Sequence, residues 1–319
     1  MAAHGAQVLE EPLETDLPDI DWRVPPTGSV RWSVRVPSGR LAALACGRTD
    51  RPRIVLAPGI TGSKEDFHFL FPVLASTGLR VESCDAAGQY ESASAGPEHL
   101  RPRRRRWDYD LFVDDLIAVL EQGSTPAHLV GHSFQGIVAQ LVAVRRPDLV
   151  RSLTLLSSPP CVGDALGCVR AWGPLAAVVP AAAVAWTVRQ GILRNVQHVP
   201  PGRQRFVTDR FRLTRTDAHA ASMRLLRHVP DVRRSLRETG IPVLCAVGAQ
   251  DLWPLELHRR YADDIGAAFS VHPGGHSPSE TAPYELCGDM LALFDEAARA
   301  PRPRTGPEAG EGPREPAAA

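Results

Sequence analysis

A serine, an aspartate and a histidine that could work together occur in the order Ser133, Asp251, His276. Serine is a weak nucleophile until a histidine takes its proton, and the histidine needs a carboxylate to hold one tautomer and stabilise the imidazolium. The chemistry such a trio can do is attack on an acyl carbon. Ser133 lies in residues 127–140, AHLVGHSFQGIVAQ, where a short apolar strand (128–130) meets a helix at Gly131-His132-Ser133-Phe134. A strand that turns into a helix within a few residues lifts the turn side chain above the sheet and puts it at a helix N-terminus, an arrangement known as a nucleophile elbow. Asp251 follows the apolar run 241–247 in GAQDLWPLE, and His276 follows the run 267–272 in PGGHSPSETAP. Singly, each has a plainer reading: an N-capping serine, a turn aspartate, a loop histidine. Jointly, each falls just past a strand end, and the only other strand end suited to an acid carries Ser157-Ser158.

Acyl transfer also needs two backbone N–H donors for the developing oxyanion. One is assigned to Phe134, directly after the serine. The other is assigned to Ile60, in the loop Pro58-Gly59-Ile60-Thr61-Gly62 that ends the apolar strand 53–57.

The elements that must position these residues can be read in order. Residues 29–36 alternate apolar and polar with strand period, Pro37-Ser38-Gly39 supplies a turn, and 40–46 returns, giving an antiparallel edge hairpin. Strands follow at 53–57, 79–85, 128–130, 150–157, 241–247 and 267–272, and helices at 64–76, 110–122, after Ser133, at 255–264 and 282–298. Strands alternating with helices predict an α/β fold: a mostly parallel sheet with helices on both faces, whose site lies outside the carboxyl ends of the strands. The expected organisation is a poorly ordered leader over 1–28, a core over 29–158 and 241–298, a helical cap inserted at 159–240, and a disordered tail over 299–319 rich in Pro, Gly, Glu and Ala.

Composition excludes several classes. With 319 residues, 44% hydrophobic content and 36 basic against 36 acidic residues, the chain can bury a sizeable core and has no overall pull toward nucleic acid or an anionic membrane. The arginine run at 103–106 is offset by Asp108, Asp110, Asp114 and Asp115 and reads as a solvated face. The six cysteines lack metal-site spacing, so neither a metal nor a cofactor is expected. The acidic N-terminus has no secretory pattern, and the apolar stretch 173–188 contains two prolines and is shorter than the roughly 20 residues a spanning helix needs. A cytoplasmic protein that does not bind membranes, a monomer or a homo-oligomer, is expected.

The motifs APGITGS, DAAGQYES, GHSFQG, GAQDLWP and GGHSPSETAP resemble those of the α/β-hydrolase family, in particular cap-bearing small esterases, proline iminopeptidases and lactonases. The resemblance covers roughly residues 29–298. It implies the α/β-hydrolase fold, Ser133 as nucleophile, Asp251 as acid, His276 as base and the amides of Ile60 and Phe134 as oxyanion hole. Members that use an aspartate nucleophile, such as epoxide hydrolases, differ at Ser133. Two departures stand out: Pro58 where His is usual before the oxyanion glycine, and Gln135 where a small residue usually follows two after the nucleophile. Three functions fit: hydrolysis of an ester, thioester, lactone or amide of a small apolar acyl substrate; acyl transfer or carbon–carbon cleavage by the same machinery; and a non-catalytic ligand-binding protein. Thr61, Gln135, Trp172, Trp186 and Trp253 are candidates for lining the substrate pocket.

Overall fold

The computed structural model describes residues 18–104, 106–169, 190 and 199–299. Eight strands form one sheet: β1 (Ser29–Val36), β2 (Gly39–Cys46), β3 (Arg53–Ala57), β4 (Arg80–Cys84), β5 (Ala127–His132), β6 (Val150–Leu156), β7 (Val243–Gly248) and β8 (Ala268–His272). Their order is β1-β2-β4-β3-β5-β6-β7-β8. β2 is antiparallel to both of its neighbours, and every other pairing is parallel. β3 and β5, at the centre, are buried along their whole length, as expected of strands covered on both faces.

The described helices are α1 (Leu70–Ser76), α2 (Tyr109–Glu121), α3 (Phe134–Arg145), α4 (Pro201–Leu213), α5 (Thr216–Leu225), α6 (Arg233–Glu238), α7 (Leu255–Ile265), α8 (Pro278–Thr281) and α9 (Pro283–Arg299). Alternation along the strands sorts the core into two layers. Val55 and Leu129 face α2, α3 and α7, packing with Leu111, Phe112, Ile137, Val138 and Ile265. Ile54, Leu56 and Val130 face α1 and α9, packing with Phe71, Leu74, Met290 and Phe294.

Two sequence expectations change. The helix expected over 64–76 is broken into a 3-10 turn at Lys64–Phe67 and α1. Pro72 explains the break: it has no N–H to give His68 O, and its ring would clash with that carbonyl in a continuous helix. The stretch 18–28, expected to belong to a poorly ordered leader, is placed: Trp22 is buried, stacking near Phe206 and meeting Phe69 edge-on. Asp19, which accepts from Gly202 N, and Arg23, which pairs with Asp209, help hold it there. Between β6 and β7 the described residues form helices α4, α5 and α6, with one isolated bridge between Gly163 and Val229. Among the described residues no helix is long and apolar enough to cross a membrane. The stretch 173–188 and the tail from 300 onward lie outside those residues.

Candidate active site

The turn from β5 into α3 holds Ser133 at φ 52°, ψ −123°, a backbone conformation that costs energy for a residue with a side chain. It is held by neighbours: Ser133 N donates to Leu156 O at 2.9 Å, fixing the turn on the end of β6. The helix then passes the segment just beyond β6 closely at Gly136, where an added Cβ would come within 2.5 Å of the Ser158 side chain. The close crossing therefore falls three residues after Ser133, and Gln135 is free to be large. Its side chain lines a small cavity with Leu41, Pro58, Asp85, Phe112 and Asp115, a lining that includes neither Ser133 nor His276.

Asp251 and His276 arrive on two loops that are joined to each other. Ala249 N donates to His272 O at 2.8 Å and Gln250 N to Gly274 O at 2.9 Å. These bonds fix the carboxylate and the imidazole relative to one another before any side-chain contact is made. His276 Nε2 lies 3.0 Å from Ser133 Oγ, and its Nδ1 lies 2.5 Å from Asp251 Oδ1. The same oxygen accepts from Leu252 N at 2.7 Å. Burial pushes the Asp251 carboxyl up, but the imidazoles of His258 and His276 outweigh it and hold the group below the usual carboxylate range. It is thus an ionised acceptor, as needed to keep the His276 proton on Nδ1 and leave Nε2 free to accept the serine proton.

The loop after β3 crosses directly over Ser133. A Cβ on Gly59 would lie 2.9 Å from Ser133 Cβ, so only glycine lets the backbone come this near. The loop turns with Gly62 N donating to Gly59 O at 3.0 Å, a bond that leaves the Ile60 N–H unused, and Thr61 takes φ 60°. Phe134 is the first residue of α3, and its N–H has no partner within the helix. Phe134 thus adjoins Ser133 in the chain, and Ile60 directly follows the Gly59 backbone that crosses it.

Three features were not expected. His132, before the serine, directs Nε2 at the backbone carbonyl of His276 at 2.9 Å. Burial, and secondarily the nearby His276, lowers its pKa to about 4, so the ring is neutral and donates through Nε2–H. His258, on α7, places Nε2 2.7 Å from the other Asp251 oxygen. Farther out, α4 sends Arg203 and Arg210 into a buried ionic cluster: both hold Asp66 Oδ1, Arg203 also holds Glu280, and Arg210 reaches Ser63 Oγ. Asp66 Oδ2 accepts from Ser63 N, so α4 is tied to the loop that carries Ile60 and, through Glu280 of α8, to the segment after His276. The sequence carried little signal for this: Arg203 and Arg210 share a helix face with Phe206, but arginines at such a spacing ordinarily read as a solvated face.

Trp253 is buried, donates from Nε1 to Ala165 O at 2.8 Å, and lies 5.7 Å from the His276 ring. It braces the histidine. Trp172 and Trp186 lie outside the described residues. Among the described residues no group of acidic, histidine or cysteine side chains could hold a metal ion.

Ser133 at a strand-to-helix turn, Asp251 and His276 on the loops after β7 and β8, and a glycine-bearing loop after β3 thus meet at one edge of the sheet. The family model described as "Alpha/beta hydrolase family" matches residues 54–289. The chain belongs to the alpha/beta hydrolase family. Similar curated proteins include the sn-1-specific diacylglycerol lipase ABHD11 of Mus musculus, 34% identical over 36% of this chain and 35% of that protein. Lipase LipV of Mycobacterium tuberculosis is 33% identical over 34% of this chain and 38% of its own length. The matched stretches thus span little more than a third of these relatives. Among solved structures, a hydrolase from Pseudomonas aeruginosa PA01 superposes with TM-score 0.68 at 21% identity, covering 83% of this chain and 98% of that one. The enol-lactonase from Burkholderia xenovorans LB400 gives 0.65 at 17% identity, covering 83% and 100%. At these identities the structures show the shared fold, and family membership supports a hydrolase.

Proposed function

We propose that the chain is a serine hydrolase cleaving an ester, thioester, lactone or amide bond of a small apolar acyl substrate. The observation that carries this reading is the unbroken line from Ser133 Oγ through the His276 imidazole to Asp251 Oδ1, with contacts of 3.0 and 2.5 Å. His276 Nε2 takes the Ser133 proton as Oγ attacks the acyl carbon. The amides of Ile60 and Phe134 stabilise the oxyanion, and His276, now imidazolium beside Asp251, returns the proton to the leaving group. Water then attacks the acyl-enzyme by the same steps in reverse. The segment between β6 and β7 serves as the cap over this centre, its α4 fastened to both catalytic loops by Arg203 and Arg210. An unbroken triad argues for turnover over retention of the fold as a passive binding protein.

The test is pre-steady-state hydrolysis of p-nitrophenyl esters of graded chain length. The reading expects a burst approaching one p-nitrophenol per enzyme, followed by slower turnover, for the better substrates. No release above the Ser133→Ala background across the whole series would remove it.

A further inference from the structure

The carboxylate of Asp251 has two oxygens, and the reaction proposed above uses one. Oδ1 is fully engaged by His276 Nδ1 and Leu252 N. Oδ2 is buried with it, and the polar group held against it is His258 Nε2, at 2.7 Å. The approach is close but off the line of a full hydrogen bond. His258 stands on α7, seven residues beyond Asp251, and is itself buried. Trp253 meets its ring edge-on at 6.3 Å and lies tilted against His276 at 5.7 Å, and the indole is in turn anchored on Ala165 O. One tryptophan thus keeps both imidazoles on opposite sides of one carboxylate.

We infer that His258 is a positioning residue for the reaction: its Nε2–H holds Asp251 Oδ2, so that Oδ1 stays aimed at His276 Nδ1. An ionised carboxylate oxygen with no solvent and no donor is a costly arrangement, and a buried imidazole is itself costly unless it is used. A residue needed only to fill space beside Trp253 would be served better by an apolar ring. Because Oδ2 can only accept, His258 must carry its proton on Nε2. This inference rests on the serine-hydrolase reading, since a carboxylate without a catalytic histidine needs no such aim.

The test compares His258→Phe with His258→Gln in the full chain, using p-nitrophenyl butyrate. Phenylalanine keeps the ring and removes the donor; glutamine loses the ring but can return an N–H near the Nε2 position. The expected result is a fall in kcat of about 10- to 100-fold for His258→Phe with KM changed by less than about twofold, and recovery to within about threefold of the native kcat in His258→Gln. An unchanged kcat in His258→Phe, or equal losses in the two variants, would overturn the inference. Should either variant fold poorly, ring nitrogen NMR of the native enzyme decides: Nε2 of His258 must be the protonated nitrogen, and a bare Nε2 contradicts the assignment. A fluorophosphonate probe separates the levels. Labelling at Ser133 with an indifferent His258→Phe refutes this inference alone, whereas no labelling at Ser133 refutes the reading it rests on.

Discussion

Asp66 and Asp251 are both buried carboxylates clasped between two basic side chains, and they differ in what those side chains can do. Asp66 lies between Arg203 and Arg210, whose charge is permanent. Asp251 lies between His276 and His258, imidazoles that each carry a second ring nitrogen able to give or take a hydrogen bond. Burial raises both carboxyls, and the basic partners more than reverse it, so both stay ionised. The arginine clasp can only hold structure together. The imidazole clasp can hold structure and still pass a proton, because His276 has a second nitrogen turned to Ser133. Similar burial and charge, with one change of partner type, separate a fastening from a machine.

The largest effects should fall on the imidazole side. Ser133→Ala and His276→Ala should each lower kcat on the order of 10⁶-fold, about 8 kcal/mol of barrier, and the double variant should lose little more because the residues act as one unit. Losses that add would show independent roles. Asp251→Asn should cost on the order of 10⁴ in kcat with folding retained, since the amide favours the wrong histidine tautomer. A loss of only a few-fold would point to another acid. The geometry leaves no obvious one, as Glu280 is bound to Arg203 and Asp85 to Lys64.

On the arginine side the effect should appear in stability. Asp66→Asn leaves two buried guanidinium groups short of a counter-charge, and a loss of about 3–5 kcal/mol is expected in urea melts. A folded, undiminished variant that had lost kcat would reverse the roles assigned to the two carboxylates. Acid sharpens the point. Because the folded-state pKa of Asp66 is depressed, its contribution is complete above about pH 4 and is lost as pH falls toward the folded value. Native protein should lose urea stability steeply below about pH 4, and Asp66→Asn should show a flatter fall. The smallest effect belongs to Gln135. Gln135→Gly removes a side chain from the cavity wall but places glycine in the first turn of α3, so stability should change by less than about 1.5 kcal/mol and kcat/KM by less than about tenfold.

The meeting of Ser133, Asp251 and His276 at one place was legible in the sequence because a strand pattern fixes where each loop emerges and acyl chemistry restricts which residue types are useful there. The sheet was legible for the same reason: period-2 and continuous apolar runs gave each strand to within about two residues. Contacts that join elements far apart in sequence were not. His258 looks like an ordinary polar residue on a helix, and only the packing of α7 turns it toward Asp251. Trp22 was hidden by the acidic composition around it. Gln135 looked like a fault in the elbow because a motif assigns the close crossing to one position, while the backbone makes it at Gly136.

If Ser133 is the nucleophile of an acyl-enzyme, covalent labelling will mark it. The native chain would be treated with a fluorophosphonate probe, digested, and the modified residue located by mass spectrometry. The account predicts a single adduct on Ser133, absent in Ser133→Ala and strongly slowed in His276→Ala. An adduct on another residue, or no adduct on folded protein, would contradict it.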